Sequence, residues 1–471
     1  MVQSAIAPSL ESVMMKVTHP MTHHKRLRLM TRERFSYSCI FLLVCLIQNT
    51  DALCDDYPQW RGTNRDGVLT ETGLVEELPE GNLPRLWSVE VGPGYSGPTV
   101  AKGLVYLTDR GNGEKESEVE RVLCYNAEDG EIVWSHTYEA KYNDEQYNIG
   151  YKAGPRAAVT IHDGKAYSVG ARGHLKCFDA KVGNLIWERD LARDYSVRMP
   201  IWGITAAPLI HENLVIQITG GSNGACVVAL DRKTGAEKWT ALDERAGYSA
   251  PILIRQGQQD VAVCWTGESV TGLNPITGET HWTFPMKPRN MPIGVATPVV
   301  AGEHLFVSSF YDGSMLIELD LSRPAAKQVW RRIGQSEKNT DSLHCMISTP
   351  IIKGKYIYGV DSYGELRCLD LMTGDRIWES LDAVPRARWA TIHTLSDGDR
   401  EIMLNDQGEL LITNLNSKGF EERSRTKLLD PTLKQLPRRN GVTWAHPAIA
   451  NGVIFARSDK ELVAASLKAS P

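Results

Sequence analysis

The chain has 471 residues, of which 42% are hydrophobic and 23% charged, with 40 glycines, 12 tryptophans and a formal net charge of −5. This composition excludes a disordered polyelectrolyte and a low-complexity or collagen-like chain. The acidic balance also argues against nucleic acid as a general partner.

The chain opens on a segment unlike the rest. From Met30 to Cys54 the sequence reads MTRERFSYSCIFLLVCLIQNTDALC, in which basic residues precede an apolar stretch of about ten and Ala52 offers a cleavage point. That pattern is a secretory signal over residues 30–53, and the apolar run is too short for a membrane span. Residues 1–29 read as an upstream extension before the more natural start at Met30. Leu53 stands where a lipoprotein signal wants a small residue, so a lipid anchor is not expected. The reading places the protein outside the cytoplasm, in a periplasm or the extracellular space. Residues 1–53 hold six Lys and Arg against three Asp and Glu, so the remainder carries −8.

Residues 54–83 form an arm that begins DDYPQWRGTNRDGV at Asp55. It precedes the first strand and is expected to add only modestly to stability. From residue 84 a repeat takes over. Tryptophans recur at Trp87, Trp134, Trp187, Trp239, Trp282, Trp330 and Trp378, in steps of 47, 53, 52, 43, 48 and 48 residues. A period near 50 suits one four-stranded blade of a propeller. In most copies a Gly lies four residues before the Trp and an Asp or Asn four before the Gly, as in LDLMTGDRIW ending at Trp378. Gly374 can take positive φ there, and the Asp370 carboxylate can accept hydrogen bonds from turn amides. Runs such as GLVYLTD from Gly103 and KYIYGVD from Lys355 are rich in β-branched and aromatic residues and carry no sustained helical period. Each Trp is expected on an outer strand, packed against the neighbouring blade.

After Trp378 the copy ELLITNLNSKGFEER keeps the turn at Gly419 and puts Arg423 at the Trp position. The chain then supplies three more strands and stops. The missing strand is PRLWSVEV, Pro84 to Val91, which carries Trp87 with no strands of its own blade before it. The sequence therefore predicts an all-β, eight-bladed β-propeller of four-stranded antiparallel blades over residues 84–471, closed by an N-terminal strand that completes the C-terminal blade. Such closure leaves few open sheet edges.

The repeat resembles the tryptophan-docking repeat of the PQQ-type (quinoprotein/BamB-like) β-propeller superfamily, Ala-x-Asp-x-x-Thr-Gly-x-x-x-Trp, which residues Ala229 to Trp239 match throughout. The opening arm is similar to the one that precedes the first strand in such proteins. The resemblance covers nearly everything from residue 55 onward and implies the fold. It implies no single activity, because the superfamily holds both PQQ-dependent dehydrogenases and BamB-like scaffolds of outer-membrane assembly.

Function is expected in the loops leading into each innermost strand, which converge on one mouth of the central channel. Alignment on the Pro of GPTV, APLI, APIL, TPVV, TPII and HPAI puts Tyr95, Thr205, Tyr248, Val295, Ile347 and Trp444 at one level, with Arg156, Arg198, Trp202, Arg289, His344, Arg388, Trp389 and His446 nearby. Aromatics beside Arg suit a small anionic or planar ligand or a protein segment, through stacking and charge-assisted hydrogen bonds. The resemblance implies, as an alternative, PQQ beside a calcium ion with carboxylate ligands, an Asp base and often a disulfide between adjacent cysteines. Here no cysteines are adjacent, and Asp144, Glu145, Asp243, Glu244 and Asp341 are scattered. Cys124, Cys177 and Cys368 occupy one equivalent position and read as small buried hydrophobes. The expectation is an exported, non-catalytic, monomeric propeller that binds a protein segment or small ligand, with no metal, no catalytic residue and no cofactor. A PQQ-dependent oxidoreductase and a saccharide-binding module stand as alternatives.

Overall fold

The computed structural model describes residues 56–111, 118–143, 148–436 and 439–469. The signal segment, the upstream extension, Asp144 and Glu145 lie outside them. Among the described residues there are eight four-stranded antiparallel sheets and a single four-residue helix, Leu191–Asp194. No helix among them is long and apolar enough to cross a membrane. The sheets are the blades of an eight-bladed β-propeller. Seven are consecutive in the chain, blade 1 running from Thr99–Ala101 outward to Ile132–Glu139 and blade 7 from Ile392–Asp397 outward to Gly419–Lys427. Blade 8 takes its inner three strands from Ala448–Ala450, Val453–Arg457 and Glu461–Ser466, and its outermost strand from Arg85–Glu90 at the other end of the chain. The closure expected from the two unfinished ends is the one observed.

The repeated Trp and Gly hold consecutive blades together. Each docking indole lies on the following blade's turn and donates Nε1–H to a carbonyl there: Trp87 to Ala127 (2.9 Å), Trp134 to Ala180 (2.9 Å), Trp187 to Arg232 (3.0 Å), Trp239 to Pro275 (3.1 Å) and Trp330 to Leu371 (3.0 Å). The Asp carboxylate shapes that turn as expected, Asp370 Oδ1 accepting from the amides of Met372 and Thr373, both at 2.9 Å. The turn Gly must bring its backbone up to the ring. At Gly183 φ is +75°, and an added Cβ would fall 2.5 Å from the Trp134 ring. Gly183→Ala is accordingly expected to cost about 1–3 kcal/mol in chemical denaturation, combining backbone strain with displacement of the indole. A cost under about 0.5 kcal/mol would remove this account of the repeat.

Two positions depart from the pattern. Blade 5 lacks the Thr-Gly turn, and Trp282 instead donates to Gln256 Oε1 at 2.9 Å, while Gln256 Nε2 reaches the carbonyls of Asp320 and Ala325. In blade 7 the register corrects the expectation for Arg423. The tight turn Asn416–Gly419 shifts the hairpin by one residue, so Arg423 is the bulge residue and Ser424, opposite Ile412, holds the Trp position. The arm fills the space a ring would occupy: the Leu78 amide donates to Ser424 Oγ (2.8 Å), Thr426 Oγ1 donates to the Gly81 carbonyl, and Arg423 pairs with Glu76 (3.1 Å).

The arm is thus far more integrated than expected. It bridges Val100 of blade 1 through Tyr57, Ser396 of blade 7 through Val68 and Lys468 beside blade 8 through Leu74. Leu74, Leu78 and Leu83 are core residues shared with blades 7 and 8. Arg65 is buried, its guanidinium donating to the carbonyls of Ala207, Pro208 and Pro251, and burial pulls its pKa down to about 9. The six described cysteines are buried and free.

Candidate functional site

Each innermost strand starts just after its Pro or an equivalent residue, and the residue before a Pro is held extended. The loop ahead of it therefore points at the channel. Tyr95, Arg156, Trp202, Thr205, Tyr248, Val295, Met346, Ile347, Trp389 and Trp444 converge there, with Tyr151. The rings form a belt: Trp202 to Tyr248 at 4.9 Å between centroids, Tyr151 to Trp389 at 5.8 Å, Tyr95 to Trp444 at 6.3 Å and Trp389 to Trp444 at 6.4 Å. Two belt residues sit in the left-handed region, Trp389 at φ +66° and Tyr151 at φ +52°. For a bulky side chain that is a strained conformation of the kind that gathers at binding sites. The Trp389 amide is anchored to the Ser362 carbonyl at 2.9 Å.

The floor comes from the arm. Trp60 packs against Ala158, Ala207 and Ala250, donates Nε1–H to Thr297 Oγ1 (2.7 Å), and meets His446 and His393 edge-on at 4.5 and 6.5 Å. The result is a small cavity of about 120 Å³, floored by Trp60 and open at its mouth.

Its polar atoms are the informative part. Trp202, Trp389 and Trp444 are buried, and their indole Nε1 atoms find no hydrogen-bond partner; the same holds for His446 Nε2. Buried donors are normally paired, and leaving one unsatisfied costs about 1–3 kcal/mol. All seven repeat tryptophans and Trp60 are satisfied, Trp378 through the Asn416 carbonyl. The three indoles without a partner all belong to residues that line the cavity. Burial holds His446 neutral with a pKa near 3 and His393 near 4. His446 Nδ1 faces the Pro447 carbonyl at 3.2 Å, which only accepts, so Nδ1 carries the proton and Nε2 presents a lone pair. Arg156 stacks over Tyr95 at 4.5 Å and donates to the carbonyls of Gly150, Tyr151 and Gly154. No carboxylate pairs with it among the described residues.

Four expected site residues stand elsewhere. Arg198 is exposed and does not line this cavity. Arg289 donates to the Gly334 and Tyr311 carbonyls, and Arg388 is clamped bidentately by Glu337 (2.6 and 2.8 Å) over the Trp389 ring. Both brace the belt from behind, because carbonyls and a carboxylate in the loops outcompete an open channel for their donors. His344 is fully buried, with Nδ1 on the Phe310 carbonyl (3.0 Å) and Nε2 accepting from the Gly334 amide (3.1 Å). Burial pushes its pKa down to about 4. The unfolded chain then takes up a proton first, so His344 contributes stability that is complete above pH 6.5 and lost as pH falls toward 4. Between pH 7 and 5 the loss is about 2 kcal/mol, measurable as the difference in pH profile between the parent and His344→Asn; parallel profiles would contradict it.

Trp60, Tyr151, Met346 and His393 were not anticipated. A signal for Trp60 was present: three consecutive blades carry Ala at 158, 207 and 250, where blades 5 and 6 carry Thr297 and Thr349, and that row of small residues makes room for a ring.

Residues 118–380, more than half of the chain, match the family described as outer membrane protein assembly factor BamB. The outer membrane protein assembly factor BamB of Shewanella oneidensis is 24% identical over 59% of this chain and 68% of its own length. The 1-butanol dehydrogenase (quinone) of Thauera butanivorans is 29% identical over 28% of this chain. Only 23% of that dehydrogenase's length is spanned. In structure, the quinohemoprotein alcohol dehydrogenase from Comamonas testosteroni superposes with a TM-score of 0.60 at 13% identity, covering 88% of this chain and 81% of its own, a likeness of fold alone.

Proposed function

The chain belongs to the family described as outer membrane protein assembly factor BamB, and from that premise we propose that it is an exported, non-catalytic propeller scaffold that captures a protein segment or small ligand in the aromatic cavity at its channel mouth. The observation that carries this reading is the belt of aromatic rings over the Trp60 floor, whose residues Trp202, Trp389 and Trp444 also hold the three indole donors without a partner. Belt rings supply apolar area at low entropic cost, and strained Trp389 and Tyr151 hold two of them in place.

The dehydrogenase reading requires a quinone held beside a calcium ion. Calcium takes six to eight oxygen ligands, mostly carboxylate and amide. The cavity lining offers Tyr and Thr hydroxyls but no Asp, Glu, Asn or Gln side chain. No group of three His, Cys, Asp or Glu among the described residues could hold a metal. The donor set does not fit the cofactor.

The test uses 1-anilinonaphthalene-8-sulfonate, an anion with a planar apolar body. Its fluorescence should rise on binding, and Trp202→Phe, Trp389→Phe and Trp444→Phe together should weaken binding at least tenfold with little change in melting temperature. An unchanged titration would refute the cavity as the site. Separately, PQQ with calcium should leave the melting temperature and quinone absorbance unaltered; tight binding would restore the dehydrogenase reading.

A further inference from the structure

A second pocket, of about 340 Å³, opens between the arm and the innermost strands of blades 4 and 5, Ile252–Gln256 and Val299–Ala301, and shares no lining residue with the aromatic cavity. Its charged lining is Arg61, Arg65 and Asp66 from the arm stretch WRGTNRDG, with Arg255 from blade 4. Arg255 pairs with Asp260 at 2.6 Å. Of the acids flanking the lining segments, Glu318 pairs with Lys327, Asp320 pairs with Arg323, and exposed Glu303 also acts on Lys327. Two guanidinium charges therefore face one carboxylate, that of Asp66, whose Oδ1 accepts from the Val68 amide at 2.9 Å. Arg61 and Arg65 are only 6% and 3% exposed, and neither has a carboxylate within ion-pair distance among the described residues. Buried charges are normally paired. The three other buried arginines follow that rule: Arg367 pairs with Asp361, Arg400 pairs with Asp397, and Arg457 lies in the field of Asp459 and Asp109. Arg65 spends its donors on neutral acceptors, the Gln59 and Thr160 side chains and the carbonyls of Ala207, Pro208 and Pro251, which satisfy its N–H groups and leave its charge. Arg61 donates from Nη2 to the Asp66 carbonyl at 2.6 Å, and its Nε is buried without a partner. Both residues sit at φ +60°, and a Cβ on Gly67 would fall 2.4 Å from Arg61 Nη2. The loop thus holds two long cationic side chains in a costly backbone conformation, of the kind that gathers at ligand sites.

We propose that this pocket binds a small oxyanion, phosphate or carboxylate in chemistry, drawn by the charges of Arg61 and Arg65 and contacted by the remaining donors of Arg61 and by the exposed Asn64 amide. An oxyanion supplies the counter-charge that the fold withholds, and its oxygens match the planar fork of a guanidinium. Water accepts a hydrogen bond but adds no charge, and an apolar ligand does neither. Burial lowers the pKa of both arginines, that of Arg65 to about 9, which reflects the cost of a charge without a partner and is relieved by a bound anion. The site stands apart from the aromatic cavity and does not depend on what that cavity holds.

The experiment is isothermal titration calorimetry of the mature protein with inorganic phosphate at neutral pH, with acetate titrated in parallel and ionic strength held constant with sodium chloride. Phosphate should bind saturably at one site; saturable acetate binding at the same site, if tighter, would assign it to carboxylates and still support an oxyanion pocket. Arg61→Gln removes a charge-assisted contact and should weaken binding by about tenfold or more. Asn64→Asp sets a second carboxylate against the ligand from an exposed position, so it should weaken binding with an unchanged melting temperature, and it carries the test if Arg61→Gln fails to fold. Asp66→Asn keeps an Oδ1 for the Val68 amide while removing the opposing charge, and it should tighten phosphate by about threefold. A purely structural role for the two arginines would not move that value. Heat no different from that of a chloride titration would overturn the proposal, as would phosphate binding unchanged by Arg61→Gln and Asn64→Asp. Binding lost in Arg156→Gln and kept in Arg61→Gln would place the anion in the aromatic cavity and overturn it as well.

Discussion

Deletion of residues 84–91 is expected to abolish cooperative folding, yielding an aggregating protein or one that melts without a sharp transition. The strand Arg85–Glu90 contributes on two sides at once. It pairs with Glu461–Ser466, opposite Glu461 through Ala465, and so covers the outer edge of blade 8. It also carries Trp87, whose indole donates to Ala127 of blade 1 at 2.9 Å and whose ring lies against Gly130. Without it, blade 8 shows an open edge and an uncovered apolar face, and the contact between first and last blades loses its latch. Open edges invite pairing with other chains. Blades interact mainly with their neighbours, so the stability of such a ring is close to a sum of blade and interface contributions, and losing an interface together with an edge strand removes two of them. The measurement is size-exclusion chromatography with urea denaturation. A soluble monomer with the parent midpoint would show that the ring does not depend on this strand. A chain beginning at Pro84 keeps the latch but loses Trp60, Leu74, Leu78 and Leu83. Each buried side chain of that size is worth roughly 1.5–3 kcal/mol before the entropy of ordering the arm is subtracted, so this variant should fold with a lowered midpoint.

What could be read from the sequence was whatever repeats. A glycine forced to positive φ, a carboxylate or amide that caps its own turn and a ring that needs a flat partner are local requirements, and five copies of the turn with seven of the ring state the blade, its order and its closure without any long-range information. The belt residues Tyr95, Tyr248 and Trp444 were legible for the same reason, because a Pro marks the level at which each innermost strand begins. The misassigned residues depend on contacts between segments far apart in sequence. Arg388 looks identical to a ligand-binding arginine until Glu337, 51 residues away, is seen to take its Nε and Nη2. His344 could not be separated from His446 by spacing; one has both nitrogens occupied by backbone and the other has one left over. Arg423 was misplaced by one residue because a turn two residues tighter than its homologues shifts a register that sequence alignment holds constant. The arm escaped because it has no period at all. Its Trp60, Arg65 and Leu78 act mainly through residues of the blades that follow.

Trp239→Ala is expected to cost about 3–5 kcal/mol, the usual loss for removing a large buried aromatic side chain. The ring is 8% exposed, sits on Gly278 and donates to the Pro275 carbonyl at 3.1 Å. Gly278 is at φ +77°, with the site of its absent Cβ 2.6 Å from the indole. The backbone of blade 4 has thus already been shaped to the ring and cannot collapse onto an alanine without leaving that conformation, which puts the expected loss at the upper part of the range. The hydrogen bond is the smaller share. Trp239→Phe keeps most of the apolar contact and loses the N–H, so it should cost about 1–2 kcal/mol, mainly from the Pro275 carbonyl left unpaired. The ratio of the two losses separates packing from hydrogen bonding as the force that holds adjacent blades. If Trp239→Ala costs less than about 1 kcal/mol in urea denaturation with an unchanged m-value, the interface relaxes around the gap, and the regular spacing of seven tryptophans needs a cause other than inter-blade docking.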